Sequence, residues 1–218
     1  MIAENLQRTV DGLPAEVRLV AVSKFHPVEA LQEAYAAGQR VFGESRVQEL
    51  CEKAPLMPAD TQWHFIGHLQ TNKVKPLIGL VSMIESVDSE RLLELIDRLS
   101  AERGVVTRVL LQVHVAEEES KFGFTPEELL GYFERRGFEN LRATHLCGLM
   151  GMATNTDDME RVRQDFARIS ELRRQILAMC PDLRGFDELS MGMSDDYGIA
   201  IEEGSTLVRI GTAIFGSR

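Results

Sequence analysis

The chain has 218 residues, 44% hydrophobic and 27% charged, which is the composition of an ordinary globular protein with one sizeable core. A net charge of −10, from 24 basic against 34 acidic residues, argues against a non-specific grip on nucleic acid or on an anionic membrane. Three scattered cysteines (Cys51, Cys147 and Cys180), an N-terminus without an apolar export segment and no apolar run near the ~20 residues of a membrane span predict a reduced, cytoplasmic protein.

A leading helix is expected over Ile2–Val10, before the first strand candidate, Arg18–Ser23. Helical periodicity follows over Val28–Ala37, then strand Arg40–Gly43, helix Arg46–Cys51, strand Trp63–Gly67 and helix Thr71–Ile78. The alternation continues with strand Met83–Val87, helix Glu90–Arg103, strand Val106–Val115 and helix Pro126–Arg135. It closes with strand Ala143–Leu149, helix Asp158–Met179, strand Glu188–Met191, helix Asp195–Glu202 and strand Leu207–Gly211. Asp88-Ser89, Thr125-Pro126 and Thr156-Asp157 are explicit helix-start signals.

No linker or composition break interrupts this rhythm, so residues 1–218 are expected to form a single domain. Strand–helix alternation of this length fits a closed barrel or an open doubly wound sheet. The open sheet should carry a glycine-rich turn after its first strand, whereas this chain reads Val22-Ser23-Lys24-Phe25. The expected fold is therefore α/β, a (β/α)8 TIM barrel with an extra N-terminal helix.

In such a barrel, chemistry gathers at the carboxyl ends of the strands, with phosphate commonly bound after the seventh and eighth. Lys24 follows the interior-looking run Leu19-Val20-Ala21-Val22 and should sit at the mouth. Partial desolvation there disfavours the ammonium form, which a lysine must leave in order to attack an aldehyde. A lysine snorkelling from a strand end would look the same. Ser190–Asp196 passes from the seventh strand into a helix, with Gly192 permitting close approach and Ser194 placed to meet an anion or simply to cap that helix. Gly211 and Thr212 offer donors to the same anion. Arg209, two residues before Gly211, should point inward, where it needs a partner: a ring nitrogen, or a carboxylate such as Glu85 or Glu44. Taken together, these residues describe a site for a phosphorylated aldehyde.

Several stretches carry a resemblance that runs almost end to end. They include Ala21-Val22-Ser23-Lys24, Phe42-Gly43-Glu44 with Val47-Gln48-Glu49, and Trp63 through Lys73. Further on come Glu118 with Lys121-Phe122-Gly123-Phe124, Gly148–Met152, Leu189–Asp195 and Gly204–Gly216. The sequence resembles the pyridoxal-phosphate homeostasis protein family, single-barrel relatives of the alanine racemase N-terminal domain. The resemblance implies that pyridoxal 5′-phosphate is held as a Schiff base on Lys24. It implies that Ser194, Gly211 and Thr212 bind the phosphate and that Arg209 lies at the pyridine nitrogen. Ser45 and His114 stand where the family usually has asparagine, which puts contacts near the mouth in doubt. The implied function is buffering of the cofactor without efficient turnover. The implied partners are the small-molecule cofactor and transient contacts with pyridoxal-phosphate enzymes, for a monomer that binds neither nucleic acid nor membrane.

An arginine cannot take the proton that makes the pyridine ring a strong electron sink, since its pKa is above ~12. Racemisation also needs an acid or base on the second face, and none of Tyr35, Tyr132 and Tyr197 is an obvious candidate. Three other readings stay open: an amino-acid racemase using Lys24 and a mouth residue such as His114, a class I aldolase, and a barrel serving only as an interaction scaffold. His64 and His68 flank a strand end and make an improbable metal pair. His145 reads as a satisfied core histidine, and the charged face of Asp158–Met179 as solvated. Glu117-Glu118-Glu119 reads as a solvated loop, and Lys121 as a second lysine for excess cofactor. Met150, Met152, Met191 and Met193 are expected to fill core and mouth space.

Overall fold

In the computed structural model, which describes residues 1–116 and 122–216, eight parallel strands close into a barrel in sequence order. They are β1 (Arg18–Val22), β2 (Val41–Glu44), β3 (Gln62–Phe65), β4 (Met83–Val87), β5 (Thr107–Val113), β6 (Thr144–Gly151), β7 (Glu188–Ser190) and β8 (Leu207–Ile210). Closure is made by β1 against β8, with Val20 opposite Arg209 and Ala21 opposite Ile210. The first four α-helices are α1 (Ile2–Asp11), α2 (Val28–Ala36), α3 (Val47–Lys53) and α4 (Glu90–Arg103). The remaining four are α5 (Pro126–Glu134), α6 (Met159–Met179), α7 (Tyr197–Glu202) and α8 (Thr212–Phe215). The expected single-domain (β/α)8 barrel with its leading helix is what forms. Among the described residues no helix is long and apolar enough to cross a membrane.

Two caps behave as the sequence predicts. Ser89 accepts the Leu92 N–H at the start of α4, and Thr125 forms a reciprocal capping box with Glu128 before Pro126. The expected helix over Thr71–Ile78 does not form. A single 3-10 turn, Thr71–Lys73, gives way to successive turns, because Pro76 has no N–H to donate and disfavours helical geometry in Lys75. The last expected helix, α7, begins at Tyr197 rather than Asp195, with Asp196 at its N-cap position, so Ser194 does not cap it. The four-residue α8 was not expected.

The apolar core has two parts. The larger fills the space between strands and helices around Phe42, Phe65, Phe133, Phe166 and Phe186. The smaller lies inside the barrel and contains Val20, Met83, Leu110, Cys147, Met150 and Leu207. Strand side chains alternate faces, so the inward residue two positions further along each strand starts the next layer toward the mouth. That layer turns polar: Glu85 follows Met83, Gln112 follows Leu110, and Arg209 follows Leu207. One step further on the same logic delivers Lys24 after Val22, and Gly211 after Arg209.

Candidate functional site

Lys24, Ser194, Arg209, Gly211 and Thr212 all line one cavity of about 250 Å³ at the carboxyl ends of β1, β7 and β8. A larger hollow of about 410 Å³ lies between α1 and the opposite ends of β1 and β2. Its arginines are already engaged, Arg18 with Glu188 and Arg40 with Asp60, so chemistry rather than volume marks the mouth as the site. Lys24 is half-buried, and the backbone at Phe25 beside it takes the left-handed conformation, φ 67°. His26 lines the same wall and stacks on Phe215, with ring centroids 4.9 Å apart. Sequence reasoning passed over His26; its signal was its place two residues beyond Lys24 at the mouth end of β1.

Gly192 adopts φ 92°, and a Cβ there would lie 2.8 Å from the Cα of Tyr197, so only glycine lets the β7–α7 turn fold tightly beside the cavity. In that turn Met193 donates its N–H to Asp196 Oδ1 at 2.6 Å, leaving Ser194 on the cavity wall. At Gly211 a Cβ would stand 3.0 Å from the Val22 carbonyl oxygen, which keeps the approach between β8 and β1 close. Burial raises the Asp196 carboxyl, although the Met193 N–H and the Arg209 charge oppose it.

Arg209 points into the barrel, as its strand parity requires, and is 4% exposed. Its Nη1 donates to the Ser190 carbonyl at 2.7 Å and to Ser190 Oγ at 2.5 Å, and its Nη2 to the Gly151 carbonyl at 3.0 Å. Ser190 Oγ in turn donates its hydroxyl hydrogen bond to Glu85 Oε2 at 2.5 Å, and Glu85 Oε1 lies 2.6 Å from His64 Nδ1. Glu85 is therefore the carboxylate partner, at 3.9 Å, with Ser190 as the intermediary. Desolvation alone would raise the Glu85 carboxyl, but His64, Arg209 and Ser190 together outweigh it and hold it below the usual range. An ionised carboxylate only accepts, so His64 Nδ1 carries the hydrogen in this pair. Burial lowers Arg209 from its ordinary value, opposed by Glu85 and Asp196.

The other carboxylate candidate, Glu44, faces outward and belongs to a separate cluster. Lys53 of α3 donates to Glu44 Oε1 at 2.8 Å, Glu49 Oε1 at 2.7 Å and the Ser23 carbonyl at 2.8 Å. Desolvation raises the Glu44 carboxyl despite Lys53 and the Ser23 hydroxyl, which donates at 2.7 Å.

The remaining candidates scatter. Ser45 and Met152 line the cavity, but His114 does not. Met193 lines it too and is largely exposed, whereas Met150 and Met191 are core. His64 and His68 are separated in role: the former is buried on Glu85, and the latter is exposed, 2.9 Å from Asp88 and stacked on Phe122. His145 is not a core residue; it is exposed at the start of β6 with Nε2 3.3 Å from the Arg184 carbonyl. Asp165 breaks the expected solvated face of α6. It is fully buried and accepts from the Thr154 N–H and hydroxyl at 2.8 and 2.6 Å, tying the β6–α6 loop to the helix. Glu117, Glu118, Glu119 and Lys121 lie outside the described residues.

Comparison with known proteins shows the family and the fold. The family described as alanine racemase, N-terminal domain, matches residues 1–218. The pyridoxal phosphate homeostasis protein of Schizosaccharomyces pombe is 40% identical over 221 residues, covering 100% of this chain and 90% of that one. The corresponding protein of Pseudomonas aeruginosa is 43% identical over 232 residues, covering 100% and 96%. PipY of Synechococcus elongatus, in its structure with pyridoxal phosphate bound, superposes with a TM-score of 0.92 at 38% identity over 99% of this chain and 100% of its own. Alanine racemase of E. faecalis, at 19% identity and a TM-score of 0.71, shares the barrel fold across 58% of its length. The chain belongs to the pyridoxal phosphate homeostasis protein family.

Proposed function

We propose that this protein binds pyridoxal 5′-phosphate as a Schiff base on Lys24 and helps to keep the cofactor available in the cytoplasm, without efficient turnover of its own. The observation that carries the reading is the convergence of Lys24, Ser194, Arg209, Gly211 and Thr212 on one cavity. The donor set fits the group: an amine for an aldehyde, hydroxyl and main-chain donors for a phosphate, and a fixed guanidinium for a ring nitrogen. The bound PipY structure and the homeostasis relatives support it.

The cofactor supplies an aldehyde carbon open to amine attack and a ring that can draw electrons from it. Lys24 presents the amine from the end of β1. Ser194, Gly211 and Thr212 would hold the phosphate locally, against a net charge of −10. Arg209, anchored by Ser190 and Gly151, would face the ring nitrogen as a donor that does not give up its proton, which would leave the ring a weak sink. No tyrosine lines the cavity to serve a second face: Tyr35 and Tyr132 lie on α2 and α5, and Tyr197 packs beneath Gly192. The protein acts as a monomer that meets pyridoxal-phosphate enzymes only transiently.

One observation favours a second reading, an amino-acid racemase: His26 lines the cavity close to Lys24 in sequence. The test is α-deuterium exchange and loss of optical rotation from L-alanine by the cofactor-loaded protein in heavy water. The carrier reading expects rates no greater than those of free pyridoxal phosphate. Exchange well above that rate, lost in His26→Ala, would establish the racemase instead.

A further inference from the structure

The loop that carries Lys24 is held from both sides by one helix. On its amino side, the Ser23 carbonyl accepts from Lys53 Nζ at 2.8 Å. On its carboxyl side, the Phe25 N–H donates to Glu49 Oε1 at 2.6 Å, and that same oxygen receives Lys53 Nζ at 2.7 Å. Glu44 fixes the lysine from below at 2.8 Å, and the Lys53 side chain is only 9% exposed. A flexible surface lysine would not be buried among two carboxylates and a carbonyl, so the cluster is a built feature.

Its geometry has a specific consequence at residue 24. Phe25 sits at φ 67°, a conformation that an aromatic residue rarely adopts and keeps only where its surroundings impose it. The Glu49 carboxylate supplies that imposition by capturing the Phe25 N–H, and Arg46 of the same segment stacks over the Phe25 ring, 4.6 Å from its centroid. Strand parity turns Lys24 inward, and the turn that follows at once, at Phe25, leaves its side chain on the cavity wall instead of continuing the strand.

We propose that Glu49 and Lys53 are positioning residues for Lys24: they clamp the residues on either side of it and so set the direction in which its amine reaches the cofactor aldehyde. The inference rests on the Schiff-base reading of Lys24. It concerns only the amine, so it predicts that the phosphate and ring contacts are indifferent to the clamp.

The test compares two ligands that share ring and phosphate. Pyridoxal 5′-phosphate carries the aldehyde; pyridoxine 5′-phosphate carries an alcohol and cannot engage the amine covalently. Both are titrated into the parent, Glu49→Ala and Glu49→Gln proteins, and each protein's thermal melting is recorded. Glu49→Ala should weaken the aldehyde ligand about tenfold, the worth of one charge-assisted hydrogen bond, and the alcohol ligand less than about twofold. Glu49→Gln keeps an acceptor for the Phe25 N–H and should recover most of the loss. Equal weakening of both ligands, or a Glu49→Ala protein that keeps the parent's preference for the aldehyde, would overturn the clamp. A parent that binds both phosphates equally tightly would overturn the Lys24 reading itself, and the clamp with it.

Discussion

Lys24→Ala is expected to bind pyridoxal 5′-phosphate at least about a hundredfold more weakly than the parent, a loss of about 3 kcal/mol. The substitution removes the lysine amine that lines the cavity and can bond covalently to the aldehyde, while Ser194, Arg209, Gly211 and Thr212 keep their places on the cavity wall. The alcohol ligand should therefore bind the variant nearly as well as the parent. Stability should hardly change, because Lys24 is a half-buried side chain at a strand end and not a core residue. Equilibrium dialysis of both ligands, with a thermal melt of each protein, measures all three quantities.

The second large effect concerns the barrel interior. Glu85→Gln should destabilise the protein by about 3 kcal/mol or more, because it leaves Arg209 buried without its counter-charge. At this chain length that corresponds to a fall in Tm of roughly 10 °C. The deficit should depend on pH in a defined direction. The folded Glu85 carboxyl lies below its ordinary value, so its contribution is complete above the unfolded value, about pH 4.3, and is lost as pH falls through the folded one. The gap between parent and variant should thus be full at neutral pH and narrow only in acid. Adding Arg209→Met to Glu85→Gln should cost much less stability than Arg209→Met does alone, since the two side chains share one network. Chemical denaturation of the four proteins across pH checks this; strictly additive losses would show that the pair does not act as a unit.

The barrel was legible because its signal is repetitive: strand–helix alternation, capped at Ser89 and Thr125, survives errors at any one element. The Thr71–Ile78 segment was misread because apolar spacing was weighed ahead of Pro76, whose missing donor decides the outcome. Lys24 and Arg209 could be placed by counting parity along β1 and β8, since side-chain direction in a strand follows from sequence alone. The partner of Arg209 could not. Glu85 lies within β4 and Glu44 ends β2, and only the register and closure of the barrel show which one meets Arg209 and which meets Lys53. Of the two readings of Ser194, the helix cap fails because the tight turn at Gly192 comes first and the helix begins three residues later. Asp165 looked like one charge on a solvated helix face; its burial depends on where the β6–α6 loop returns, a contact between distant segments that periodicity does not report. The Lys53 cluster was missed for the same reason.

The account stands or falls on where the aldehyde attaches. The protein is saturated with pyridoxal 5′-phosphate, reduced with borohydride and digested, and the peptides are mapped by mass. The account predicts one dominant pyridoxyl label, on the peptide holding Lys24, and its loss in Lys24→Ala. A label confined to another lysine, or a Lys24→Ala protein labelled as fully as the parent, would contradict it.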